Sequence, residues 1–187
     1  MRVMVTIDHP WPGSFNHAIL DRVVRTLEAG GHEVDVLDLH TEGFDPVLRR
    51  EELAVYTRGE YLDPKVAEYQ DRIGRSRHLI FIFPVWWEVM PALLKGFFDK
   101  VFLPGWAFRE DDAAPLLTSI DGATVITTMG APEAVHTSVE PVLCRGILGF
   151  CGIEESRWLN ITDVAHRPPE ARAAFLDKIA AHLRELS

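Results

Sequence analysis

The chain has 187 residues, enough for one domain over 1–187 that buries roughly 70% of the surface its unfolded form exposes. It is 47% hydrophobic and 25% charged, an ordinary globular composition that argues against disorder, and its formal net charge is -9. That charge argues against a nucleic-acid partner or an anionic membrane surface, since both need a clustered basic face.

The apolar run Val3–Ile7 reads as a buried strand, and it stops at Asp8. Such a run is too short for a signal peptide, and no window reaches the roughly 18 apolar residues of a membrane span, so a cytoplasmic protein without membrane insertion is expected. The loop His9-Pro10-Trp11-Pro12-Gly13 follows, and Ser14 or Asn16 caps a helix with apolar spacing at Ala18, Ile19, Val23, Val24 and Leu27. Gly30-Gly31 ends it, and Glu33–Leu39 reads as a second strand. From His40 to Leu62 the pattern is a long excursion with one helical turn at Arg50–Tyr56. Pro64 then opens a helix to about Ser76. His78–Phe83 is the clearest central strand and stops at Pro84. Pro91 opens a helix through Phe102.

A polar loop leads to the strand Ala123–Thr128, and a helix from about Ser138 to Phe150 follows. A last strand runs from Ile153 to about Ile161, and Pro168-Pro169 open a helix to Leu186. Cys144 and Cys151 lie in apolar surroundings and read as small core residues, which suits a reducing compartment. Strand and helix alternate throughout, which predicts an α/β fold with a parallel sheet covered on both faces. Five strands favour the doubly wound order 2-1-3-4-5.

In such a sheet, ligands bind beyond the carboxyl ends of the strands, near the reversal of strand order. Those ends are His9–Asn16, Pro84–Trp87 and Thr127–Glu133. Ser14-Phe15-Asn16 begins a helix, where free N–H groups and the helix dipole favour a phosphate, although Ser14 as a plain cap accounts for the same residues. Trp86 and Trp87 directly follow a strand, and four of the five tryptophans (Trp11, Trp86, Trp87, Trp106) lie in loops with Phe15 and Phe108. Aromatic residues gathered there fit a flat π-ligand or a protein interface. Thr127-Thr128-Met129-Gly130 offers hydroxyls and backbone donors to the polar edge of such a ring. No Gly-x-Gly-x-x-Gly, Walker-type loop, nucleophile elbow or metal-ligand spacing is present.

His9-Pro10 with Ser14-Phe15-Asn16, Phe83-Pro84-Val85-Trp86-Trp87, Pro91–Gly96, Asp99–Phe102, Thr127-Thr128-x-Gly130 and Gly146–Gly152 together resemble the NAD(P)H:quinone oxidoreductase family. That family includes DT-diaphorase, the modulator of drug activity B proteins and the ancillary oxidoreductases of potassium-efflux systems, and its fold is flavodoxin-like. The resemblance implies a flavin, FAD or alternatively FMN, reduced by NAD(P)H and reoxidised by a quinone or similar two-electron acceptor in a ping-pong cycle. It places His9, Ser14, Phe15 and Asn16 on the phosphate and outer part of the cofactor. Pro84, Val85, Trp86 and Trp87 line the ring, with Thr127, Thr128, Met129 and Gly130 along its polar edge. Trp106 and Phe108 face the substrate. His136 is the candidate catalytic residue, in the stretch Val135-His136 where relatives carry a tyrosine and a histidine. The resemblance also implies a homodimer. The alternative it carries is a flavin-binding regulatory subunit of a potassium-efflux transporter.

Overall fold

The computed structural model describes residues 1–131 and 138–186. Five strands form one parallel sheet: β1 (Arg2–Ile7), β2 (Glu33–Asp38), β3 (His78–Pro84), β4 (Gly122–Thr128) and β5 (Ser156–Ile161). Their order is β2-β1-β3-β4-β5, the doubly wound order expected by analogy with five-stranded folds of this class. β1 is the pivot, with Val3 opposite Val34 of β2 on one side and His78 of β3 on the other. Every residue of β3 and β4 is buried, so these strands read as continuous apolar runs without alternation.

The helices divide between the two faces. On one face α1 (Phe15–Ala29) and α5 (Pro169–Leu183) bring Ile19, Val23, Leu27, Phe175, Ile179 and Leu183 onto Val3, Val5, Ile80, Ile82 and Ile126. On the other face α3 (Pro64–Gly74), α4 (Ala92–Val101) and a π-helix (Val139–Gly149) cover Met4, Leu79, Phe81, Phe83 and Val125. The expected helix over Ser138–Phe150 is therefore present but wound wider than an α-helix. A Cβ on Gly146 would stand 3.1 Å from the carbonyl oxygen of Pro141, five residues back, and one on Gly149 would stand 3.4 Å from that of Cys144, so small residues sit where the turns come close. Cys144 and Cys151 are free and buried, and burial pushes the Cys151 thiol up to about 11.

The excursion after β2 is held down by residues of α4. Its one helix, α2 (Arg50–Tyr56), matches the expected turn. Gly96 lets the chain cross α4, because a Cβ there would stand 2.2 Å from the Pro46 carbonyl oxygen. Lys100, 4% exposed, donates to the Asp45 carbonyl at 3.0 Å and lies 3.0 Å from Glu52 and 3.3 Å from Asp63. Removing the cation would leave two carboxylates facing each other, a loss of about 3–5 kcal/mol by the usual cost of breaking a buried ion pair. Thus α4 carries the excursion on one side and abuts the carboxyl edge of the sheet with its first turn.

At the opposite edge, His78 Nε2 lies 2.9 Å from Thr124 Oγ1, which lies 3.1 Å from His182 Nε2 on α5. Burial, reinforced by His182, holds His78 down to about 4 from 6.5. The unfolded chain therefore takes up a proton between those values and the folded one does not, so stability is full above pH 6.5 and is lost as pH falls toward 4. Urea unfolding should show a loss of about 2 kcal/mol between about pH 7 and about pH 5 from this residue. His78→Gln should flatten that slope, and an unchanged slope would assign the acid sensitivity elsewhere.

Candidate functional site

Three segments leave the carboxyl edge of the sheet and meet on Thr128, the last residue of β4. Its carbonyl accepts the Val85 N–H at 2.8 Å, and its hydroxyl accepts from Asn16 Nδ2 at 3.0 Å. The first and second segments meet through His9 and Trp86, whose rings lie 6.5 Å apart with planes inclined by 56°. The predicted phosphate, ring and polar-edge segments are therefore brought together.

In the first segment Ser14, rather than Asn16, caps α1: its hydroxyl accepts the His17 N–H at 3.3 Å and lies 3.1 Å from His17 Nδ1. The N–H groups of Phe15 and Asn16, in the first helical turn, have no intrahelical acceptor and point outward with the positive end of the dipole. Asn16 is 3% exposed, and its Oδ1 is buried without a partner among the described residues. A buried polar atom left unpaired costs roughly 1–3 kcal/mol, so this amide is set for a donor from outside the chain. The Phe15 ring turns the other way, 6.5 Å from Phe175 on α5, so what this residue offers a ligand is its N–H. The indole of Trp11 folds over Gly13, where a Cβ would stand 2.6 Å from the ring. His9 accepts the Trp11 N–H on Nδ1 at 3.1 Å, and burial together with the nearby His17 lowers its pKa.

In the second segment Pro84 is the buried end of β3 and Val85 packs on the α4 face. Trp86 and Val89 exchange both backbone hydrogen bonds, at 3.0 and 3.2 Å, closing a tight turn. At its tip Trp87 and Glu88 have φ of 51° and 67°, which the turn geometry demands and ordinary side chains resist. Trp87 is 96% exposed and Trp86 47%. Of the predicted pair, Trp86 thus lies against the first segment and Trp87 projects into solvent. The Glu88 carbonyl accepts the Ser138 N–H at 3.0 Å, tying the turn to the start of the π-helix.

In the third segment the two threonines part company, because neighbours on a strand point to opposite faces. Thr128 faces α1 and Asn16. Thr127 faces β5: it accepts from Trp158 Nε1 at 2.8 Å and donates to Asn160 Oδ1 at 2.8 Å, so its hydroxyl already has both partners. Met129 is buried, and its N–H goes to the Ile161 carbonyl at 2.9 Å. Gly130 is exposed, with open space where a Cβ would stand. His136 lies outside the described residues. Trp106 and Phe108 are half-buried past the end of α4, with ring centres 5.7 Å from Phe102 and 5.1 Å from Phe150.

Sequence reasoning missed Asp8, His17 and His40. Asp8, at the end of β1, is 1% exposed; its Oδ2 accepts the Leu94 N–H at 2.8 Å and its Oδ1 lies 2.9 Å from His40 Nε2. The signal was a charge ending an apolar strand at the ligand edge. Burial raises the Asp8 pKa, and the Leu94 N–H and His40 oppose that rise. Among the described residues no helix is long and apolar enough to cross a membrane, and no three His, Cys, Asp or Glu side chains are grouped to hold a metal.

Comparison with known proteins adds to this geometry. A family model described as flavodoxin-like fold matches residues 1–186. NAD(P)H dehydrogenase (quinone) 1 of Rattus norvegicus is 27% identical over 203 residues, covering 94% of this chain and 74% of the relative. Ribosyldihydronicotinamide dehydrogenase-like protein traD of Penicillium crustosum is 31% identical over 189 residues, covering 82% of this chain and 70% of the relative. The solved NAD(P)H:quinone oxidoreductase from Methanothermobacter marburgensis superposes with a TM-score of 0.88 at 28% identity, covering all of this chain and 96% of the other.

Because the Trp87 side chain has almost no contacts to lose and its φ disfavours any residue but glycine, Trp87→Gly should leave stability unchanged or raise it by up to about 1 kcal/mol. Urea unfolding of the cofactor-free protein checks this, and a clear loss of stability would show that the indole is packed.

Proposed function

The chain belongs to the flavodoxin-like fold family, and from that premise we propose that it is a flavin-dependent NAD(P)H oxidoreductase passing two electrons to quinones or similar acceptors. The observation that carries the flavin is the convergence on Thr128, which leaves a buried, unpaired amide oxygen on Asn16 beside a helix start and an aromatic crevice. An anionic tail suits the first turn of α1, a flat ring suits the His9–Trp86 crevice, and a polar group with a donor suits Asn16. The residues fit the group. FAD is favoured, with FMN as the alternative.

The flavin supplies two-electron hydride chemistry when bound, and the protein supplies binding and orientation. Ser14 and the N–H groups of Phe15 and Asn16 hold the phosphate end. Pro84, Val85 and Trp86 with His9 flank the ring. Thr128 and Gly130 run along its polar edge, the Thr127 hydroxyl and the Met129 N–H being used within the sheet and its edge. Trp106 and Phe108 bound the face where donor and acceptor bind in turn, which makes the cycle ping-pong. Trp87, exposed on a strained turn, stands at the outer rim of the ring site, and the assembly is a homodimer. His136 is the proposed proton donor. The setting is the reducing cytoplasm, in keeping with the two free thiols.

Purified protein should be yellow, absorb near about 450 nm as oxidised flavins do, and bleach with NADH or NADPH. Asn16→Ala should weaken flavin retention at least about tenfold and change the stability of the cofactor-free protein by only about 1 kcal/mol, since the amide it removes is half unpaired. Protein that stays colourless after incubation with FAD and FMN would overturn the reading. In stopped flow, His136→Phe should slow reoxidation by quinone by about 100- to 10,000-fold, the range of a lost general acid. Unchanged kinetics would remove His136 from the chemistry.

A further inference from the structure

Asp8 is placed on no part of the flavin itself, yet it directly precedes His9 at one wall of the crevice. Its carboxylate is shared between two other elements: Leu94, in the first turn of α4, and His40, in the segment after β2. The cap of α4 is Pro91, which has no side chain to offer that turn. The carboxylate just past β1 takes its place, and the helix dipole favours the negative charge there. Burying a carboxylate is costly unless it is fully hydrogen-bonded, so both partners matter.

The two walls of the aromatic crevice are the chain neighbours of this bond. His9 follows Asp8 directly, and the Trp86–Val89 turn leads through Met90-Pro91 into α4. The bond from Asp8 to Leu94 therefore fixes the turn bearing Trp86 relative to the segment bearing His9. We propose that Asp8 and His40 are a positioning pair that holds the two walls of the flavin site in register at acid as well as neutral pH. The inference rests on the flavin reading above.

Donor and acceptor counting gives the pair its chemistry. A carboxylate accepts from Leu94 on one oxygen and from His40 on the other, whether His40 is a neutral Nε2–H tautomer or the cation. An amide at position 8 loses that freedom. With its oxygen toward Leu94 it turns an NH2 toward His40, which only a neutral imidazole can accept. Protonating His40 then sets two donors face to face. The other titratable groups around the pair are His9 in the same segment, His17 on α1, and Asp38, which lies 3.9 Å from His17 and accepts the His40 N–H at 3.0 Å. On α4 the group facing Asp8 is the Leu94 N–H itself. These surroundings are common to wild type and variants, so the ratio of their affinities isolates the pair.

The test is FAD binding, followed by flavin fluorescence at about pH 8 and about pH 5.5. The proteins are wild type, Asp8→Asn, His40→Gln and the double variant, with amide exchange at Leu94 measured on the cofactor-free forms. Asp8→Asn should bind within about threefold of wild type at the higher pH and fall about tenfold further behind at the lower, with Leu94 protection lost in parallel. The double variant should show no such drop, because a glutamine side chain in place of His40 does not titrate. A constant ratio of Asp8→Asn to wild type across pH overturns the proposal, as does the same drop in the double variant. Should Asp8→Asn not fold, His40→Phe serves instead: it leaves Asp8 Oδ1 without a donor and should weaken FAD by about tenfold, and unchanged affinity overturns the pair. A wild type that binds neither FAD nor FMN at either pH overturns the flavin reading itself, a result separable from the variant ratios.

Discussion

β1 pairs with β2 on one side and β3 on the other, all parallel, and the rest of the molecule follows from that reversal. A parallel strand must be left by a crossover, and crossovers from neighbouring strands on either side of the reversal go to opposite faces. The chain leaving β1 enters α1 on one face, while the chain leaving β3 enters α4 on the other. Between the two departures the carboxyl edge opens. A crevice there needs no special residues to exist, only a way of holding its sides at a fixed separation.

Two polar anchors do that holding. Thr128 receives the second segment through its carbonyl and the first through its hydroxyl, so a single residue at the end of β4 sets the distance between them. Asp8 does the same from beneath, joining the end of β1 to the start of α4. Both are buried, and buried hydrogen bonds are strongly geometric because the alternative is an unsatisfied group. The exposed parts of the site behave differently. Trp87, 96% exposed, sits at positive φ on its turn, a local strain of the kind that persists at binding surfaces.

Much of the architecture was legible because it rests on local rules. Apolar runs bounded by proline, glycine and polar residues marked all five strands to within a few residues, and the isolated helix at Arg50–Tyr56 was located in an otherwise featureless stretch. Ser14 as a helix cap needed only its position before an amphipathic run. Long-range effects were not legible. Thr127 and Thr128 look equivalent in a Thr-Thr pair, and only the pleat assigns one to Asn16 and the other to Trp158 and Asn160. Phe15 belongs to the motif by spacing, but its ring packs against Phe175 of a helix more than a hundred residues away. The wide winding of the Val139–Gly149 helix had no signal in its apolar pattern.

The amino-acid sequence by itself determined the alternation of elements, hence the parallel sheet and the three segments at the carboxyl ends of its strands. These follow from periodicity and turn chemistry, which act over a few residues. The strand order came by analogy with five-stranded doubly wound folds. Only the tertiary structure decided which side chains within those segments are free. Among the described residues Asn16 Oδ1 is without a partner while Thr127 Oγ1 both donates and accepts, Trp86 lies against His9 and Trp87 faces water, and Asp8 turns from the end of a strand into the support of a distant helix. Hydrogen-bond satisfaction is a property of the whole packed molecule, because each buried donor or acceptor is matched by whatever the fold brings beside it.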